Sequence, residues 1–109
     1  MAVQRYGRVI GLKLDRVEEY RRLHTAVWPE VLATIHRCGI RNYSIFYRDG
    51  LLFSYFEYVG DSFEADMALR AADAKTREWW QLTNPCQQPV SSALDSEWWA
   101  ELEEMFHCE

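Results

Sequence analysis

The sequence has no CxxC pair, and its three cysteines, Cys38, Cys86 and Cys108, are odd in number and widely spaced. That argues against a disulfide framework and makes a reduced, cytoplasmic location the expectation. GxGxxG, a phosphate-cradling glycine-rich loop and HExxH are all missing, and His24, His36 and His107 form no pair at ligand spacing on one element. No cofactor and no metal are therefore expected. Twelve Lys and Arg stand against 17 Asp and Glu, for a formal charge of -5 with no basic tract. Such a chain is a poor binder of nucleic acid and of anionic membrane. No apolar run approaches the ~20 residues that span a bilayer. The first residues, Met1-Ala2-Val3-Gln4-Arg5, lack the apolar stretch of a signal peptide.

What the chain has in excess is aromatic side chains: five Trp, six Tyr and five Phe in 109 residues. Its hydrophobic fraction of 49% rules out disorder. Its length suits a single domain, 1–109, with one core. A core that small buries some of these rings, and the remainder call for a cavity or an interface.

Residues 6–14 alternate. Tyr6, Ile10, Leu12 and Leu14 share one parity, which Arg8 interrupts, and Gly7, Val9, Gly11 and Lys13 share the other. This predicts a strand with one nearly bare face. The glycines mark a bulge, an edge or the close approach of a ligand. Asp15 as N-cap and Glu18 in the capping-box position open a helix. Val17, Tyr20, Leu23, His24 and Val27 form its apolar stripe. Pro29 pushes Trp28 out of the helical region and starts a second helical piece, which ends at Gly39. Residues 41–48 and 51–58 flank Asp49-Gly50, the signature of a tight type I′ hairpin. The second of these runs is apolar on both parities, so both its faces need cover. One helical layer covers only one face, and a second subunit supplies the other. Gly60-Asp61-Ser62 delivers a cap to helices over 63–69 and 73–82, followed by a loop over 83–96. The tail predicts a helical start through Trp98, Leu102 and Met105, then a short strand over 105–108. The order is β-α-β-β-α-β, a ferredoxin-like α+β fold.

Tyr20 and His24 are four residues apart and project from one helix face. On the residues alone, His24 is either a core side chain hydrogen-bonded to a carbonyl or a proton donor and acceptor. Trp79-Trp80 cannot send both rings into one narrow stripe, because neighbouring helix positions diverge by about a hundred degrees. One ring reaches the core. The other is left for a groove, where indoles pack on the C–H faces of sugars, or for ordinary packing. Tyr43 shares a strand face with Ile45 and Tyr47, and matters only if that face looks into a cavity.

Several segments resemble the L-rhamnose mutarotase family. They are Glu19-Tyr20-Arg21-Arg22 with His24 and Trp28-Pro29-Glu30, Asn42-Tyr43-Ser44-Ile45, Leu51-Leu52-Phe53, Trp79-Trp80, and Pro89-Val90-Ser91-Ser92. They run in the family's order along nearly the whole chain. The resemblance implies a cofactor-independent, homodimeric α+β barrel that interconverts the α and β anomers of L-rhamnose or a related 6-deoxy sugar. It implies His24 as proton donor, and Tyr20, Tyr43, Trp79 and Trp80 as sugar-binding residues. The segment around Trp98-Trp99 looks like an insertion, and Asn84 to Gln88 departs from the family pattern. Loop changes of that kind alter which sugar fits more readily than which chemistry occurs. The alternative is a sugar- or ligand-sensing domain of the same architecture that binds without chemistry.

Overall fold

The structure, a computed structural model, describes residues 3–109. Strand β1 (Gln4–Leu12) leads into helices α1 (Val17–Leu23) and α2 (Pro29–Arg37). The hairpin of β2 (Ile40–Arg48) and β3 (Leu51–Tyr58) follows, then helices α3 (Phe63–Ala72) and α4 (Ala74–Thr83). Two short strands, β4 (Gln87–Gln88) and β5 (Ala100–Leu102), end the fold. The strands pair antiparallel in the order β2-β3-β1-β4, with β5 also on β1. This is the expected α+β arrangement. Among the described residues no helix is long and apolar enough to cross a membrane.

Local chemistry fixes most boundaries. Asp49 and Gly50 both take left-handed backbone, with φ of 49° and 80°, as a type I′ turn requires. Trp28 is extended, Pro29 opens α2, and Gly39 at φ 83° closes it. The Ser62 hydroxyl accepts from Ala65 N–H to cap α3, and the Asp73 carboxylate accepts from Thr76 N–H to cap α4.

Five expectations need correction. Asp15 does not cap α1. It lies in a 3-10 turn over Leu14–Arg16, closed by the Arg16 N–H donating to the Lys13 carbonyl, and Arg16 stands at the N-cap with no side-chain capping bond, its guanidinium donating instead to Glu19. That turn also takes Leu14 out of β1 and leaves it exposed. Helix α1 stops at Leu23, short of Val27. There the Thr25 hydroxyl donates to the Arg22 carbonyl and the His24 imidazole meets the Tyr20 carbonyl, so side chains satisfy the last turn. The tail holds no helix. Residues 100–102 form β5 against β1, and Met105 and Phe106 are exposed in irregular backbone. The glycines of β1 face the chain's own strands rather than a ligand, a bulge or an edge. A Cβ on Gly11 would lie 2.7 Å from the Gln88 carbonyl oxygen, because β4 pairs there.

The two sheet faces differ. Ile10, Leu12 and Leu52 point to the helices and form the core with Tyr20 and Cys86, with Val17, Ile45 and Trp99 packed against it. Each fully buried aliphatic side chain here contributes about 1.5–3 kcal/mol. The register places Val9, Phe46, Phe53, Tyr55 and Leu102 on the opposite face, where Phe46 is 63% exposed.

Candidate active site

The helix-facing side of the sheet does not close onto the helices everywhere. Between it and the four helices lies a cavity of about 1080 Å³. Tyr20, His24, Tyr43, Trp79 and Trp80 all line it. Ile45 and Tyr47 line it too, so the β2 face that carries Tyr43 does look into a cavity.

His24 sits where α1 ends. Its Nδ1 is 2.9 Å from the Tyr20 carbonyl oxygen. A carbonyl only accepts, so Nδ1 carries the proton and Nε2 is the nitrogen left to exchange one. The imidazole is held between rings, 4.3 Å from Tyr20 and 5.5 Å from Trp79, which meets it edge-on. Trp79 in turn meets Trp28 at 5.3 Å. The carbonyl bond expected of a core histidine is thus present on a residue that borders the cavity. Trp79 is buried and Trp80 only half-buried, as their adjacency demands.

Sequence reasoning missed Gln87, Trp98, Arg8 and Arg70. Gln87 is buried, and its Nε2 donates to the Tyr20 hydroxyl at 3.1 Å while its Oε1 accepts from the Trp98 indole N–H at 2.8 Å. Indole nitrogen is only a donor, so the amide can point one way. Tyr20 therefore accepts from Gln87 and keeps its own proton for the cavity. The Trp98 segment completes the wall. Arg8 left a signal: it is the one charged residue on the core-facing parity of β1.

Burial holds the Tyr20 phenol well above the ordinary tyrosine value, with Tyr43 adding to the rise and the Gln87 bond opposing it. Burial and then the hydrogen bond to Asp66 push Tyr58 up to about 12. Above the usual tyrosine pKa the unfolded chain loses these protons while the folded chain keeps them, so stability falls as pH rises. We expect the urea midpoint to decline from pH ~10 to ~12, less steeply in Tyr20→Phe. A limb equally steep in the variant would contradict the Tyr20 contribution.

Curled sheet, helical layer and the cavity between them define a fold of the dimeric α+β barrel type. A solved L-rhamnose mutarotase from Formosa agariphila shares it with a TM-score of 0.76 at 24% identity, over 97% of this chain and 99% of that one. So does the tetracenomycin F2 cyclase of Streptomyces glaucescens, a type-II polyketide cyclase, with a TM-score of 0.68 at 14% identity. One architecture thus serves two chemistries, and these likenesses show the fold alone. Sequence comparison is more specific. The L-rhamnose mutarotase family model matches residues 5–108. The L-rhamnose mutarotase of Oceanobacillus iheyensis is 31% identical over 107 residues, 96% of this chain and 98% of that protein. That of Lactiplantibacillus plantarum is 33% identical over 105 residues, 94% and 96% of the two chains. The chain belongs to the L-rhamnose mutarotase family, a family of isomerases.

Proposed function

We propose that the protein is an aldose mutarotase, acting on L-rhamnose or a related 6-deoxy sugar as a homodimer, with His24 moving the proton. The observation that carries the site assignment is the His24 imidazole itself, its Nδ1 engaged by the Tyr20 carbonyl and its ring held against Trp79 at the cavity wall. In the imidazolium form Nε2–H gives its proton to the ring oxygen. The C1–O5 bond breaks with its electron pair going to O5, C1=O1 forms, and the O1 proton passes to water. The aldehyde end turns, O5 attacks the other face of C1, and the protons return by the same route. One group that both gives and takes a proton serves both directions. The Tyr20 hydroxyl, kept protonated by burial, donates to a sugar oxygen, and Trp79, Trp80 and Tyr43 present rings to the C–H faces.

Anomer-exchange NMR on L-rhamnose tests this, with acceleration expected at catalytic protein levels. Binding without acceleration would instead make the protein a sensor. The dimer rests on the far sheet face, where Phe46 and Leu102 are exposed beside Phe53 and Tyr55. Sedimentation should show a dimer at micromolar concentration, and a monomer would count against it.

A further inference from the structure

We infer that Gln87 is a positioning residue for the reaction. Locked in orientation by Trp98, its side-chain amide turns the Tyr20 hydroxyl so that it donates into the cavity, and the sugar atom met there has to be an acceptor. The inference rests on the mutarotase reading of the same cavity and adds to it a residue that acts through Tyr20.

Gln87 is 4% exposed and lies in the short strand β4, where it pairs with Leu12 of β1. The backbone just before it is fixed as well, because the Cys86 carbonyl accepts from the Lys13 N–H at 2.9 Å. Leu12, Cys86 and Tyr20, its partners in strand, sequence and hydrogen bond, all belong to the core. Burying an amide in such surroundings is costly unless it is bonded. Both ends of this one are engaged, Nε2 donating to the Tyr20 hydroxyl at 3.1 Å and Oε1 accepting from the Trp98 indole at 2.8 Å.

The sense of these bonds decides the role. A glutamine alone could present either end to Tyr20, since a hydroxyl both donates and accepts. The indole N–H only donates, so it claims Oε1 and leaves Nε2 facing Tyr20. The hydroxyl then accepts from the amide, and among the described residues it donates to no protein group. Burial keeps that proton on the phenol. The Tyr20 ring lies 4.3 Å from the His24 imidazole, and the Tyr20 carbonyl meets the imidazole Nδ1. Tyr20 thus fixes the tautomer of His24 through its backbone and offers the sugar a donor through its hydroxyl. Gln87 sets the second of these. Gln87 and Trp98 lie in the two segments that depart from the family pattern, Asn84 to Gln88 and the stretch around Trp98-Trp99. One hydrogen bond joins the two departures and brings them to bear on Tyr20.

The test is a double-mutant cycle read in kcat/KM for L-rhamnose exchange, with tryptophan fluorescence for sugar binding and thermal unfolding on the same samples. Gln87→Met keeps the length of the side chain and removes the amide. It should lower kcat/KM by about 10-fold in the wild-type background and by less than about 2-fold in Tyr20→Phe, where no hydroxyl is left to turn. Trp98→Phe keeps a ring in the wall but frees the amide to turn over, and should cost about 3-fold, again only where the Tyr20 hydroxyl is present. Gln87→Glu adds a readout that a packing role would not move. A protonated carboxyl donates to Tyr20 and accepts from Trp98 as the amide does, whereas a carboxylate only accepts and draws the Tyr20 proton to itself. The deficit of Gln87→Glu against wild type at the same pH should therefore shrink as pH falls from ~7.5 to ~5. The titratable groups around position 87 are His24, Tyr43 and Glu97 in the cavity wall, Cys86 beside it, and Lys13 and Arg77 in a second pocket that Gln87 also borders. All are common to both proteins, so the ratio at each pH reads the new carboxyl. Losses that simply add in the cycle, or a Gln87→Glu deficit that is flat or grows toward acid pH, would overturn the positioning role. The glutamate variant decides the matter if Gln87→Met does not fold. If L-rhamnose is exchanged and the losses add, the positioning role fails and the mutarotase reading stands. If the cycle couples in sugar binding but no sugar is exchanged, the mutarotase reading fails and the orienting of Tyr20 by Gln87 stands.

Discussion

His24→Ala is expected to lower anomer exchange by about 10²–10⁴-fold, the range for a lost general acid, with the fold kept. His24→Asn should do nearly the same, because an amide can hold a hydrogen bond to the Tyr20 carbonyl but cannot cycle a proton. The structure makes this comparison sharper than the sequence did. The Nδ1 contact with the Tyr20 carbonyl is a structural bond, and any histidine capping α1 would benefit from it. If that bond were the whole role of His24, His24→Ala would cost about 1–3 kcal/mol and activity per folded molecule would hold. His24→Asn would then be nearly silent. Exchange rates and thermal unfolding on the same samples separate the two. Wild-type exchange in folded His24→Asn would remove His24 from the chemistry.

Much of the fold was legible because local rules and global packing agree. Asp49-Gly50 takes the two left-handed conformations that a type I′ turn demands, and Ser62 and Asp73 cap the helices they precede. Where the reading failed, a tertiary contact outweighed a local pattern. Asp15 and Glu18 have capping-box spacing, but the backbone entering α1 is held elsewhere, with the Lys13 N–H donating to the Cys86 carbonyl at 2.9 Å. The tail was misread because Leu102 and Met105 fit a helical period. Pairing of Gly7, Arg8 and Val9 with residues 102, 101 and 100 instead satisfies the free edge of β1.

In the site, the five residues that line the cavity come from three elements and a helix end; helical spacing singled out Tyr20, His24 and the Trp79-Trp80 pair, while Tyr43 and the roles of all five came from the resemblance to the family. Gln87 was illegible for a definite reason. Its importance lies in a bond to a Tyr on α1 and another to a Trp eleven residues later, neither of which leaves a periodic trace. Arg8 and Arg70 were visible as charges but not as cavity walls. Whether an arginine on a mostly apolar parity snorkels out or lies flat on aromatic rings depends on which rings the fold brings beneath it.

Trp79 and Trp80 should part company when each is replaced by alanine. Trp79 is 6% exposed and packs edge-on against both His24 and Trp28. Removing so large a buried ring leaves a cavity under α4, and losses of this kind run to about 3–5 kcal/mol. Trp79→Ala should therefore lower thermal stability severely, and loosen His24 by taking away one of the two rings that hold it. Trp80 is half-buried and lies beneath the Arg70 guanidinium at the cavity wall. Its replacement vacates space that opens onto the cavity, so the stability loss should stay near ~1 kcal/mol while sugar binding weakens by about 10-fold. Thermal unfolding of both variants, with sugar titrations on those that fold, measures the split. Equal destabilisation would make the pair purely structural. An unaffected sugar affinity in folded Trp80→Ala would take Trp80 out of the binding surface and move the sugar toward Tyr43 and the Trp98 wall.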